Sequence, residues 1–265
     1  MRVHASTAQP AARSLAGQTA MIVGASRGLG RGIVSAFAAA GAKTVAVSRT
    51  TPISATGDSL DNVQWEIADA GDATVAGRLI DLYAPNIVIL VAGATPHMRS
   101  LQQQTWETFS IHWQSDVRIA FHWLREALLK PLRSGSRVVV VSSGAALGGS
   151  PLSGGYAGAK ATQRFMTAYA QDEARRAGLD ITFTAILPRF APMTDVGQAA
   201  VQAYAARNGV SVEDFLRSHR ATSGPPVAPE IAGLALLQLI LQRPATIAAS
   251  YVLDGNGLHA QSAGT

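Results

Sequence analysis

The sequence predicts a single α/β domain built on a doubly wound parallel sheet of about seven strands, with a lid inserted after strand six. Three observations predict this class. Short apolar runs alternate with longer patterns of helical period along the chain. One run, SRVVVVSS over 136–143, carries four consecutive valines, as in a strand covered on both faces. A glycine-rich turn, GASRGLG over 24–30, joins the first strand to the first helix.

The elements follow in order. TAMIVGA (19–25) reads as a buried first strand. The helical segment after it places Ile33, Ala36, Phe37 and Ala40 on one face and ends at Gly41. KTVAVS (43–48), NVQWEIAD (62–69), NIVILVAG (86–93), SRVVVVSS (136–143), DITFTAILP (180–188) and SYVLDG (250–255) are strands two to seven. Helical patterns in the gaps imply parallel strands joined by right-handed crossovers. Residues 1–14 read as a flexible polar arm without a secretory apolar region, and 15–265 as one domain. The stretch from Arg189 to about Pro229 breaks the regularity. It follows the C-terminal end of a strand, where a lid over a ligand crevice belongs, and it reads as two short helices.

Composition narrows the function. The chain has 265 residues, 48% of them hydrophobic and 15% charged, which suits a globular domain and not a disordered one. No apolar run is long enough to cross a membrane. Zero cysteines exclude disulfides, thiolate metal sites and cysteine nucleophiles, and are compatible with a cytoplasmic location. The net charge of +5 comes from scattered arginines, with no basic stripe of the kind that binds nucleic acid. His112 and His122 share a helix, but no carboxylate spacing supports a metal site.

Two motifs carry the chemistry. In GASRGLG, Gly24, Gly28 and Gly30 permit a tight turn, and with Ser26, Arg27 and Leu29 they bring backbone N–H groups and a helix N-terminus toward a pyrophosphate. Strand two then ends in Ser48 and Arg49 rather than in a carboxylate. Arg27 and Arg49 suit a 2′-phosphate, so the Rossmann-type turn predicts NADPH rather than NADH. In YAGAK, Tyr156 and Lys160 stand one helical turn apart. An ammonium beside a phenol favours the phenolate, which makes a tyrosine usable as acid and base.

GASRGLG, Asp69 after strand three, VVVSS, YAGAK, Pro188 and LDGNG stand in one order. Tyr156 stands thirteen positions after Ser143, and Lys160 four positions after Tyr156. In this pattern the chain resembles the short-chain dehydrogenase/reductase family from Leu15 to Leu258. The resemblance implies that Tyr156 is the acid/base, that Lys160 lowers its pKa and binds the nicotinamide ribose, and that Ser143 hydrogen-bonds the substrate oxygen. It places Asp69 near the adenine, Ala92 and Gly93 beside the cofactor, and Pro188 and Thr194 in the loop flanking the nicotinamide. It implies a small carbonyl or alcohol substrate and a homodimer or homotetramer.

Three positions depart from the family pattern. Val91 replaces the asparagine before Ala92 and Gly93. Asp116 stands where the family has a catalytic asparagine. If a backbone carbonyl there holds a water beside the lysine, aspartate still serves, and its carboxylate is placed to pair with Lys160. Arg189 replaces the glycine after Pro188 and is expected to pack outward. His97 is expected at the substrate mouth, and Met193, Val196, Val201, Tyr204 and Phe215 are candidates for its apolar wall. The leading expectation is carbonyl reduction. Imine reduction, cofactor-assisted cyclisation and a non-catalytic NADPH-binding regulator stand as alternatives.

Overall fold

Apolar runs buried on both faces set the sheet, and the connections between them decide which strands meet. The computed structural model describes residues 2–4, 14–50 and 62–261. The strands are β1 (Arg2–His4), β2 (Thr19–Val23), β3 (Lys43–Ser48), β4 (Val63–Ile67) and β5 (Ile87–Leu90). They continue with β6 (Ser136–Val141), β7 (Ile181–Pro188), β8 (Ser250–Asp254) and β9 (Gly257–Ala260). They form one sheet in the order β1-β9-β8-β7-β6-β5-β2-β3-β4. The run from β4 to β8 is the parallel, doubly wound sheet of seven strands that the sequence predicts.

Two antiparallel strands extend that sheet to nine. β9 folds back on β8, and β1 pairs with β9 through Arg2↔His259, Val3↔Leu258 and His4↔Gly257. Of the arm expected over residues 1–14, residues 2–4 therefore form a sheet edge, while residues 1 and 5–13 lie outside the described residues.

Helices α1 (Gly28–Ala39) and α9 (Pro229–Ile240) cover one face of the sheet. The other face carries α2 (Val75–Tyr83), α4 (Arg118–Leu129) and α6 (Tyr156–Arg176). A short α3 (Trp106–His112) leads into α4 through one π turn, Trp113–Val117. Trp123 of α4 is fully buried, and its indole N–H donates to the Ala70 carbonyl at 3.1 Å. A four-residue α5 (Ala145–Gly148) follows β6. The expected lid folds as α7 (Asp195–Asn208) and α8 (Val212–Ser223), each begun by a side-chain cap from Thr194 or Ser211.

The site follows from the strand order. From β2 the chain moves outward to β3 and β4, then crosses back to β5 on the other side. The C-terminal ends of β2 and β5 therefore frame a crevice, the usual ligand position in such sheets. The register pairs Val23 with Leu90, so Gly24 and Ala92 meet just beyond it. Gly24 has φ +96°, and a methyl group there would lie 2.4 Å from the Ala92 nitrogen. Only glycine meets both demands.

Candidate active site

The crevice opens into a cavity of about 750 Å³ that runs from the glycine turn to the lid. Gly24, Ser26, Arg27, Gly28, Leu29 and Gly30 line one end, with Ser48, Arg49 and Asp69 beside them. Helix α1 begins here without a side-chain cap and without an acidic residue in its first turn. Its first backbone N–H groups therefore face the cavity unopposed by negative charge, and an anion fits there. Arg49 is exposed at the end of β3. Arg27 makes an exposed ion pair of 2.5 Å with Asp195 on the lid. The Ser48 hydroxyl donates to the Thr50 carbonyl at 2.7 Å. Asp69 accepts from the Gly71 N–H at 2.9 Å, so it also shapes the turn after β4.

The centre of the cavity is built from β6, the π turn and α6. Ser143 follows β6, and its Oγ accepts from the Ala145 N–H at 3.1 Å. The Gly144 N–H donates to the Pro188 carbonyl at 2.8 Å, tying the serine loop to the end of β7. Tyr156 opens α6, with Lys160 one turn later. Lys160 is buried, and its Nζ lies 5.6 Å from the centre of the Tyr156 ring. Nζ is 3.0 Å from Asp116 Oδ2 and donates to Gln163 Oε1 at 3.0 Å.

Asp116 is fully buried, and the π turn directs it inward. Its Oδ1 accepts from the Ala94 N–H at 2.8 Å and from the Ser115 hydroxyl at 2.7 Å. Gly93 leaves room for the carboxylate, since a methyl group there would lie 2.7 Å from Oδ2. Burial, the largest single influence, acts to raise the Asp116 pKa, but the Lys160 charge together with His112 and Ser115 outweighs it. The carboxyl is held well below its usual range. Burial likewise acts to discharge Lys160, and Asp116 and then Tyr156 reverse this, so its pKa is raised. The Asp116 carbonyl accepts from Gln163 Nε2 at 2.9 Å. The carbonyl weighed as a water ligand beside the lysine thus accepts here from a side-chain amide. His112 completes the cluster. It is buried, its Nδ1 lies 3.5 Å from Asp116 Oδ1, and its ring meets the Tyr156 ring edge-on at 5.0 Å.

At the far end, Pro188 leads into the lid. Thr194 donates to the Ala191 carbonyl at 2.8 Å and packs over Gly28. Val196, Val201, Tyr204 and Phe215 line the cavity, joined by Phe190, Arg189 and His219. Met193 stays outside it, in a separate surface groove. His97 is also outside, whereas Pro96 and Met98 line the cavity. The His97 side chain is exposed to solvent instead. Arg189, expected to pack outward, is exposed to solvent yet borders the cavity.

The short chain dehydrogenase family profile matches residues 18–205. The chain belongs to this family. Among curated short-chain dehydrogenase relatives, the hydroxynaphthalene reductase-like protein Arp2 of Metarhizium majus is 31% identical over 193 residues, covering 66% of this chain and 69% of that protein. A short-chain type dehydrogenase/reductase of Picea abies is 29% identical over 247 residues, covering 83% and 86%. Among solved structures, a Mycobacterium avium short chain dehydrogenase superposes with TM-score 0.72 at 19% identity, covering 94% of this chain and 86% of that one. A variant of ElxO with NADPH bound superposes with TM-score 0.73 at 17% identity, covering 89% and 95%.

Short-chain dehydrogenases bind a nicotinamide cofactor, and the glycine turn with the uncapped start of α1 fits one. Apart from His97 and Met193, the site residues the sequence nominated border this cavity. Sequence reasoning missed Gln163, Ser115, Phe190 and His219. Gln163 alone carried a usable signal, since it stands one turn beyond Lys160 on the same helix face. Among the described residues no helix is long and apolar enough to cross a membrane.

Proposed function

We propose that this short-chain dehydrogenase is an NADPH-dependent oxidoreductase that interconverts a carbonyl and a secondary alcohol, with Tyr156 as its acid/base. The observation that carries the reading is the convergence of Ser143, Tyr156 and Lys160 on a cavity whose other end is a phosphate-suited glycine turn. The bound cofactor supplies the hydride. In reduction the Tyr156 hydroxyl gives its proton to the carbonyl oxygen, and Ser143 Oγ donates a hydrogen bond to that oxygen as it gains charge. Lys160, kept charged by Asp116 and positioned by Gln163, favours the phenolate left on Tyr156.

NADPH is favoured over NADH by Arg49 and by the lack of a carboxylate at the end of β3. The Arg27–Asp195 pair is exposed, so a 2′-phosphate competes for Arg27 at little cost. The NADPH in the ElxO structure agrees with this choice, and the reductase name of the Arp2 relatives agrees with reduction. Trp113, Phe121, Phe165 and Tyr169 are exposed on the π turn, α4 and α6, and a homodimer or homotetramer would cover them.

The test is NADPH oxidation across ketones, diketones, quinones and cyclic imines, with Tyr156→Phe alongside. Ketone turnover that falls at least about a hundredfold in the variant, with NADPH still bound, is the expected result. Retained turnover would remove Tyr156 as the acid. Turnover of imines alone would move the reaction to the carbon–nitrogen bond.

A further inference from the structure

The lid end of the cavity has a chemistry that carbonyl reduction does not require. Tyr204 and Phe215 stack with planes 11° apart and centroids 6.4 Å apart. Phe215 and His219 continue the run at 25° and 6.0 Å, and Phe190 closes on His219 at 4.0 Å. All four rings are half-buried and border the cavity. An aliphatic substrate needs no such series, whereas a flat ring system gains area and ring–ring contact against it.

One cation sits beside these rings. The Arg189 N–H donates to the Leu253 carbonyl at 2.9 Å, which fixes the start of the side chain. Its Cγ would be 3.6 Å from a methyl group on Gly144, so it passes next to the loop that holds Ser143. Two of the acidic groups in the cavity are already paired. Asp116 pairs with Lys160 and Asp195 with Arg27, and Asp69 lies at the opposite end. Among the described residues no carboxylate pairs with Arg189. Its charge reaches His219: burial first, and Arg189 second, hold that imidazole below its ordinary pKa and favour its neutral form. The lid end therefore offers one guanidinium without a counter-charge, next to an aromatic wall and beside the serine.

We propose that this end is a subsite for a planar aromatic carbonyl compound bearing an acidic oxygen, with its rings against Tyr204, Phe215 and His219 and its anion on Arg189. The proposal rests on the carbonyl-reducing reading for its reaction, and on the lid geometry alone for its ligand. A guanidinium next to the reacting centre orients a carboxylate or phenolate and so fixes which carbonyl meets Tyr156.

The experiment has two arms. In the first, kcat/KM is measured for para-acetylbenzoate, acetophenone and levulinate, on the wild type, Arg189→Gln and Phe215→Leu. The aromatic acid should exceed both others about tenfold or more. Arg189→Gln should bring its ratio to acetophenone near one, and Phe215→Leu its ratio to levulinate. In the second arm, naphthoate is titrated calorimetrically into the NADP+-saturated protein. Binding should weaken about tenfold or more in Arg189→Gln. If naphthoate binds with this dependence while no carbonyl is reduced, the subsite stands and the reaction assignment falls. Absent naphthoate binding, or binding equal in the wild type and Arg189→Gln, overturns the subsite. So does an aromatic-acid preference that Arg189→Gln leaves intact.

Discussion

Removing the Asp116 carboxylate is the most informative single perturbation of the buried cluster. In Asp116→Ala, the buried Lys160 keeps Gln163 Oε1 as a neutral acceptor and loses its counter-charge. The Ala94 N–H and the Ser115 hydroxyl lose their acceptor as well. Breaking a buried pair by deleting one partner costs about 3–5 kcal/mol. A chain of this size shifts its Tm by about 2 °C per kcal/mol, so a fall of about 6–10 °C is expected. The pH dependence supplies an independent sign. In the wild type the Lys160 pKa lies above its ordinary 10.5, so its contribution is complete below that value and is lost as pH rises through the folded pKa. In Asp116→Ala burial acts without the aspartate to offset it and favours the neutral amine. Stability should then rise from neutral pH toward the lysine range, opposite to the wild type. At the acid end, Asp116 stabilises the wild type above its ordinary 3.8, and this is lost as pH falls toward the depressed folded pKa. The double variant Asp116→Leu with Lys160→Met removes both charges and should recover most of the lost Tm. Thermal melts by circular dichroism across pH measure all of these. A Tm for Asp116→Ala within about 2 °C of wild type, with an unchanged pH slope, would show that Lys160 finds solvent through the cavity and that the pair is not a buried one.

Arg27→Ala combined with Arg49→Ala should weaken NADPH about tenfold to a hundredfold and NADH far less; equal losses, read by fluorescence titration, would mean that neither arginine senses the 2′-phosphate. Helices α1 and α9 touch through Gly32 and Gly233, and a methyl group on Gly233 would lie 2.3 Å from the Gly32 carbonyl oxygen. Gly233→Ala should therefore cost about 1–3 kcal/mol or more and loosen NADPH, because α1 carries the phosphate turn. Gly148→Ala, on α5 with open space around it, should be neutral or mildly stabilising in the same melts. Phe165→Glu with Tyr169→Glu should convert an oligomer to a monomer in sedimentation velocity, and a monomeric wild type would refute the assignment of that face.

The central parallel strands were legible because they are apolar on both faces, so even a run of four residues such as β5 stands out from its flanks, whereas the edge strand β4, VQWEI, carries a weaker pattern. The antiparallel edge was not. β9 is GLHA and β1 is RVH, too short and mixed for a period to register, and their pairing is decided by β8 offering an open edge. Tyr156 and Lys160 were legible because a separation of four on a helix fixes a shared face. The Asp116–Lys160 pair was visible as an option once the helix before β6 was laid against the family pattern. What aligned residues do not convey is the competition among partners. Arg27 was read as a phosphate ligand, yet here it pairs with a lid aspartate far away in sequence. The Asp116 carbonyl was considered as a water ligand, and here it accepts from Gln163. Asp195 cannot be inferred before the lid is placed in space, and Gln163, though one turn from Lys160 on α6, shows its bond to the Asp116 carbonyl only once the π turn is placed.

The aspartate at position 116 is not a lone exchange but one member of a matched set. A carboxylate placed there needs room, which Gly93 provides. It needs donors, which the Ala94 N–H and the Ser115 hydroxyl supply. It needs a nearby cation, and it draws Lys160 to 3.0 Å. That attraction works against catalysis if the ammonium is held too firmly, because the same lysine must favour the Tyr156 phenolate. Gln163 eases the conflict from both sides. Its carbonyl oxygen holds Nζ from a second direction, and its amide fixes the backbone carbonyl of Asp116. The lysine thus stays charged through Asp116 while Gln163 shares in setting its direction. Gln163→Leu should then lower kcat more than it raises the KM for a carbonyl substrate, since the lost constraint acts on the proton-transfer step and not on the lid. Gln163→Glu should differ in kind. It adds a second negative charge beside Lys160 and should move the pH–rate profile. A structural role in packing α6 would make the two variants alike, and a comparison of their pH profiles separates the cases.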